Sequence, residues 1–168
     1  MRRWFVVHTQ PRAEERALWH LQNQGFHCFL PRFRKMRRHA RRAQLTLEPL
    51  FPRYLFASFD PSVTAWRSIN GTRGVVGVLV NGSAPQSVPH GVVEVLQSEA
   101  DPGGATPLTA LGVLREGLKV RIASGAFAGQ TGEIAGISQK SSDRVQVLLD
   151  LLGATARLPV PSYAIEIL

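Results

Sequence analysis

The twelve residues from Glu48 to Phe59, EPLFPRYLFASF, constrain this chain more than any other stretch. The segment Leu50-Phe51-Pro52 forms a rigid elbow, because the proline ring fixes φ and removes a backbone donor. Tyr54–Phe59 then reads as a strand, rich in the aromatic residues that suit pleated sheet. Alternation puts Leu55, Ala57 and Phe59 on one face and Tyr54, Phe56 and Ser58 on the other. Two readings follow. Either both faces are buried, or one lines a core while Tyr54 and Phe56 are offered to a partner.

Charge narrows the choice of partner. Residues 1–48 hold eleven Lys/Arg against three Asp/Glu, whereas the remaining residues balance nine against nine. Seven of the bases fall within Arg32–Arg42 without one acid. Such a local excess attracts phosphate, although a solvated basic loop has the same composition. No apolar run approaches the ~20 residues that span a bilayer, and no signal peptide is evident. Cys28 is the single cysteine, which rules out an intramolecular disulfide and a cysteine-based zinc site. These features suggest a cytoplasmic monomer without membrane, metal or cofactor.

Trp4–His8 reads as a first strand. Pro11 suits the first turn of a helix running to Gln24 and ended by Gly25. Its apolar stripe is Ala13, Ala17, Leu18 and Leu21. Arg12, Arg16, His20 and Asn23 gather on another face, with Trp19 beside them and Gln24 at the margin. That face suits nucleic acid, with cations for phosphate, polar donors for base edges and a ring for stacking. An ordinary solvated face has the same pattern. Phe26–Phe33 predicts a second strand, continuing into a basic hairpin arm that returns through Leu45–Leu47. Asp60-Pro61 predicts a short helix to Ile69. Val75–Val80 predicts a strand, Asn81-Gly82 a hairpin turn, and Pro89–Ala100 a helix burying Val92, Val93 and Leu96.

This order implies an α+β sandwich over residues 1–100, with helices flanking an antiparallel sheet. Residues 101–113 have linker composition. From residue 114 to 168, short strands at Lys119–Ala123, Gly132–Ser138, Val145–Leu151, Ala156–Val160 and Tyr163–Leu168 suggest a small five-stranded β-barrel. The run Val145–Leu152 is ambiguous between strand and helix by period alone, but the surrounding glycines and prolines favour the barrel.

Gly117–Ile134, punctuated by Gly125, Gly129 and Gly132, resembles the KOW motif. Joined to Trp4–Val7, the Phe51–Phe56 elbow and strand, and Asn70-Gly71-Thr72-Arg73-Gly74-Val75, it resembles the NusG family over essentially the whole chain. Glu48–Pro61, Cys28 and Pro31 look closest to that family's specialised RfaH branch. The resemblance implies a transcription elongation or antitermination factor, not an enzyme. Its N-terminal domain would bind the clamp helices of the RNA polymerase β′ subunit through Tyr54 and Phe56, bordered by Phe51 and Leu96. Ala65, Trp66 and Arg67 match the contact with the gate loop of the β subunit. Arg16, His20, Asn23, Gln24, Thr72 and Arg73 match the surface that holds the non-template DNA strand. Phe127 matches an aromatic used toward ribosomal protein S10 or the termination factor Rho, and a barrel-capping core role is its alternative.

Two rival functions remain in view. A ribosome-associated KOW protein would place RNA affinity in residues 114–168, a segment that is roughly neutral. A hydrolytic or metal enzyme would need ligand or nucleophile spacings that His8, His20, His27, His39 and His90 do not form.

Overall fold

The protein, seen in a computed structural model, is described over residues 1–137 and 144–168. Along the chain run β1 (Arg3–Thr9), α1 (Glu14–Asn23), β2 (His27–Phe29), β3 (Arg32–His39), β4 (Arg42–Pro49) and β5 (Tyr54–Phe59). A 3-10 turn (Trp66–Gly71) leads to β6 (Val75–Val78), β7 (Val80–Asn81), β8 (Ala84–Pro85) and α2 (Val92–Glu99). A second 3-10 turn (Leu108–Leu111) precedes β9 (Lys119–Ile122), β10 (Thr131–Ile137), β11 (Arg144–Leu151) and β12 (Ala154–Pro161). A last one (Ser162–Ala164) enters β13 (Ile165–Ile167). The chain gathers into two compact units, residues 1–32 with 49–98 and residues 33–48 with 99–168.

The first unit is built on a four-stranded antiparallel sheet in the order β2-β5-β1-β6. Register pairs Phe5 with Ala57 and Val7 with Leu55, so these four share one face. They form a core with Ala17 and Leu21 of α1, Phe59, Trp66, Ile69, Val75 and Val78. Phe5 stacks on Phe59 with ring centroids 4.2 Å apart. Cys28 packs against this core from β2, and burial pushes its thiol up to about 12. It is therefore protonated and poorly nucleophilic at neutral pH.

Several expectations shift in detail. The helix begins at Glu14, not Pro11, because Arg12 turns back at φ +58° before the first helical residue. Asp60 accepts hydrogen bonds from the Ser62 amide (3.0 Å) and hydroxyl (2.6 Å). It thus closes an Asx turn, and the helical turn that follows is 3-10 and begins only at Trp66. In α2, Val93 and Leu96 are buried, whereas Val92 is exposed.

The second unit holds a five-stranded antiparallel sheet in the order β12-β11-β10-β9-β13. Val145, Val147 and Leu149 of β11 have no exposed surface and alternate with more accessible neighbours, which settles that segment as strand. Leu152 and Gly153, at φ +53° and +83°, turn it into β12. A flat sheet of five strands separates its edges by about 19 Å, at ~4.8 Å per gap. The four chain steps from Pro161 to Ile165 reach at most about 14 Å, so the sheet is rolled. No pairing of β12 with β13 closes it among the described residues, and the expected barrel is observed as a rolled, open sheet. The register shift between Ile134 and Gly136 supports that curvature. Ser138, expected to end β10, lies outside the described residues.

Two segments depart from the expected boundaries. The basic stretch forms a two-stranded hairpin, β3-β4, that gathers with the second unit and not with the first. Arg38 donates to the Ala123 carbonyl at 2.6 Å, and Arg34 is paired with Asp101. The linker-like residues 101–113 are folded too. Asp101 Oδ1 accepts the Ala105 amide at 3.1 Å, and Ala105 and Thr106 are buried. Glycine content here makes a tight turn, not a free tether.

Two predictions follow from this packing. A Cβ at Gly132 would lie 2.3 Å from the Leu148 carbonyl oxygen, so Gly132→Ala is expected to lose about 1–3 kcal/mol, as overpacking does. Gly136→Ala, where the added Cβ would lie 3.6 Å from Glu116 Oε1, should lose less; denaturant midpoints read both. The Arg34 guanidinium, donating to Asp101, holds that carboxyl below its usual range. A depressed carboxyl stabilises the fold above its unfolded pKa, and that contribution is lost as pH falls through the folded value. Protection factors at residues 104–106, taken against the intrinsic exchange rate at each pH, should therefore fall at acid pH in the wild type, and Asp101→Asn should flatten the dependence.

Candidate functional site

The surface around α1 is assembled by backbone constraints before any charge is considered. Gly74, at φ +83°, brings its backbone against the helix, and a Cβ there would lie 3.2 Å from the Ala13 carbonyl oxygen and 3.3 Å from the Ala17 nitrogen. Its own carbonyl accepts the Gln10 amide at 2.8 Å. At the other end of α1, Gln24 Nε2 donates to Thr72 Oγ1 at 2.8 Å. The Thr72 hydroxyl in turn donates to the Ser68 carbonyl at 3.3 Å. The turn Thr72–Gly74 is thus laid along the helix, with Arg73 exposed upon it.

Arg16, Trp19 and Asn23 are exposed on α1, and His20 is half-buried. Trp19 and His20 meet edge to face with centroids 4.8 Å apart. Glu15, the acid of this face, is engaged by a bidentate pair from Arg32, both bonds being 2.8 Å. The structure therefore brings together all six residues expected at the DNA surface, with two corrections. Thr72 is buried, with 7% of its surface exposed, so it positions the turn and presents no hydroxyl to a base. Gln24 is the other half of that bond, with its amide nitrogen committed to Thr72.

The second face of the first sheet carries the expected aromatic patch. Tyr54 is exposed at the start of β5 and stacks on His8 of β1, with ring centroids 5.1 Å apart. Phe51 is exposed beside it and meets Phe56 edge-on at 6.2 Å. Phe56 itself departs from expectation, being only 7% exposed. The cause is its interior strand, where Val6 and Phe29 flank it in register on either side. Leu96 is likewise buried. Accessible apolar surface on this patch is thus Phe51 and Tyr54.

At the expected gate-loop contact, Ala65 and Arg67 are exposed, but Trp66 is a core residue stacked on Phe59 at 6.2 Å. The Arg67 guanidinium lies 4.7 Å from the Trp66 ring centre. In the second unit, Phe127 is exposed on the loop between β9 and β10 and lies outside the buried core cluster. That accessibility argues against its barrel-capping alternative.

The sequence did not reveal Glu14. Its buried carboxylate accepts the Arg53 amide at 2.9 Å, and Arg53 sits at φ +71°. Thr9 donates its amide to the Arg53 carbonyl at 2.8 Å. The elbow is therefore fixed by α1 and β1 as well as by Pro52. Among the described residues, no group of three or more His, Cys, Asp or Glu could hold a metal. No helix among them is long and apolar enough to cross a membrane.

Residues 2–97 match the family model described as transcription termination factor nusG. The chain belongs to the NusG family. It is 29% identical over 167 residues to the transcription termination/antitermination protein NusG of Thermus thermophilus, covering 89% of this chain and 90% of that protein. The NusG of Staphylococcus aureus is 27% identical over 178 residues, covering 98% of this chain and 95% of the relative. A solved structure of Thermotoga maritima NusG aligns over 99% of this chain and 97% of its own at 20% identity, with a TM-score of 0.40.

The Gln24–Thr72 bond makes a direct prediction. Thr72→Val keeps the shape but removes the hydroxyl, and should lower stability by about 1 kcal/mol. Thermal melts of the full chain measure it, with Thr72→Ser expected to retain the bond.

Proposed function

We propose that the protein is a NusG-type elongation and antitermination factor that acts by binding, without covalent chemistry. The observation that carries this reading is the family match across residues 2–97, together with Tyr54 and Phe51 exposed on the second face of the sheet. Their partner would be the clamp helices of the polymerase β′ subunit. Binding of this kind depends on a few aromatic anchors more than on total area. Tyr54 and Phe51 serve as the direct anchors, while Phe56 holds the Phe51 ring from below and Leu96 supports the same unit from within. Ala65 and Arg67 offer the second contact, to the β gate loop, with Trp66 anchoring that turn in the core.

The α1 face and Arg73 would track the non-template DNA strand. Arg16 and Arg73 supply phosphate contacts, and His20 and Asn23 face base edges. Bridging the cleft in this way favours one closed polymerase conformation by preferential binding, which suppresses pausing. The rolled sheet of the second unit fits a KOW domain, and exposed Phe127 suits a docking role toward ribosomal protein S10 or Rho. The general NusG reading is favoured by the Thermus and Staphylococcus relatives. The operon-specific RfaH-like reading rests on the Glu48–Pro61 stretch.

Copurification tests the central claim. Phe51→Ala/Tyr54→Ala should lose most polymerase binding while keeping the wild-type circular dichroism, with a modestly lower melting temperature from the lost ring contacts to His8 and Phe56. Undiminished recovery of polymerase with the double variant would overturn the assignment. Elongation assays on templates with randomised non-template strands separate the two branches, uniform action marking the general factor and sequence-dependent recruitment the specialised one.

A further inference from the structure

Trp19 is the most exposed of the large aromatic side chains, with 60% of its surface accessible. The other two tryptophans are not comparable: Trp66 is buried in the core and Trp4 is half-buried. An indole costs solvent exposure wherever it sits on a helix surface, and here α1 has no apolar neighbour on that face to cover it. Its surroundings are polar and cationic. Arg16 lies one turn before it and Asn23 one turn after it, both exposed. His20 presses edge to face against the ring, which restrains the indole's rotation. Glu15, which would repel phosphate, is already neutralised by the bidentate Arg32. Arg73, exposed on the turn tied down by Gln24 and Thr72, adds a second cation to the same side of the unit.

An exposed apolar ring beside Arg16, with Arg73 on the turn along the other flank of Arg16, matches a polyanion that also carries flat apolar faces. Single-stranded nucleic acid has this composition, with phosphates for Arg16 and Arg73 and an unpaired base for the indole. A base within a duplex has its faces covered by its neighbours, so the platform discriminates against double strands. A protein partner would gain from the indole but would need carboxylates placed to match the arginines. We propose that Trp19 is a stacking platform for an unpaired base, the specificity element of the α1 surface for single strands. This rests on the reading of that surface as a nucleic-acid contact.

The full chain supplies its own reporter. At low salt, oligothymidylate and oligouridylate should each quench the red-shifted emission of the exposed indole, whereas a DNA duplex of equal length should bind without quenching. Matching quenching by both single strands assigns the platform to any unpaired base, and quenching by one alone assigns it to DNA or RNA. Trp19→Leu should weaken single-strand affinity about five- to hundred-fold, the range measured for base–aromatic stacks, and abolish the quenching. Trp19→Phe should recover part of the affinity, since it restores a ring without the indole nitrogen. Arg16→Ala/Arg73→Ala should instead reduce affinity for single strands and duplex alike and lower the salt dependence. If single strands bind in an Arg16- and Arg73-dependent way, yet Trp19→Leu binds as wild type, the stacking role is overturned and the surface reading survives. If the wild type binds no nucleic acid under these conditions, both fall.

Discussion

The antiparallel pairing of β1 with β5 governs the first unit. Six residue pairs, from Arg3 with Phe59 to His8 with Tyr54, run in unbroken register. That register fixes both faces at once. Phe5, Val7, Leu55, Ala57 and Phe59 point into the core, and Val6, His8, Tyr54 and Phe56 are left on the opposite side. A slip of one residue would exchange the two sets, exposing the core aromatics and burying the patch. The Phe5–Phe59 stack at one end and the His8–Tyr54 stack at the other hold the register from both faces. Glu14 and Thr9 then fix where the strand begins by clamping Arg53.

Much of this was legible in the sequence, because β5 carries a strong local signal. The proline elbow and the alternation of Leu55, Ala57 and Phe59 gave the strand its limits and its core face without reference to anything distant. The degree of exposure of Phe56 was not legible, because it depends on which strands flank β5 and on Val6 and Phe29 standing beside it. Trp66 is a similar case. Its place followed from the short helical turn that carries it, and the Asp60-Pro61 signal set that turn too early, since the aspartate closed a local loop instead. Thr72 and Gln24 were found as members of one surface, but their bond to each other is a contact across 48 residues that no local pattern encodes. In the second unit the strands were plain from turn spacing, whereas the rolled but unclosed pairing reflects edge geometry.

The basic hairpin shows how charge and backbone make separate demands. Its tip is Ala40-Arg41, at φ +48° and +68°, where glycine or asparagine would be less strained. Arg37 is paired with Glu48 and Arg34 with Asp101, so two of the seven bases in Arg32–Arg42 stabilise their own unit. Lys35, His39, Arg41 and Arg42 remain exposed along the ribbon. Net charge read from the sequence therefore overstates the charge presented to solvent, and the hairpin's share in long-range attraction falls mostly to its tip.

The discontinuous make-up of the second unit has a practical consequence. Because residues 33–48 gather with residues 99–168, the chain passes between the units three times, and neither is a contiguous stretch. A fragment ending near residue 98 would keep the hairpin covalently yet strip Arg34 of Asp101 and Arg38 of the Ala123 carbonyl. A fragment beginning near residue 99 would lack the hairpin altogether. Dissection of this protein by simple truncation would thus alter the electrostatics of both halves, and an internal excision of the hairpin would remove the same Arg34 and Arg38 contacts from the second unit.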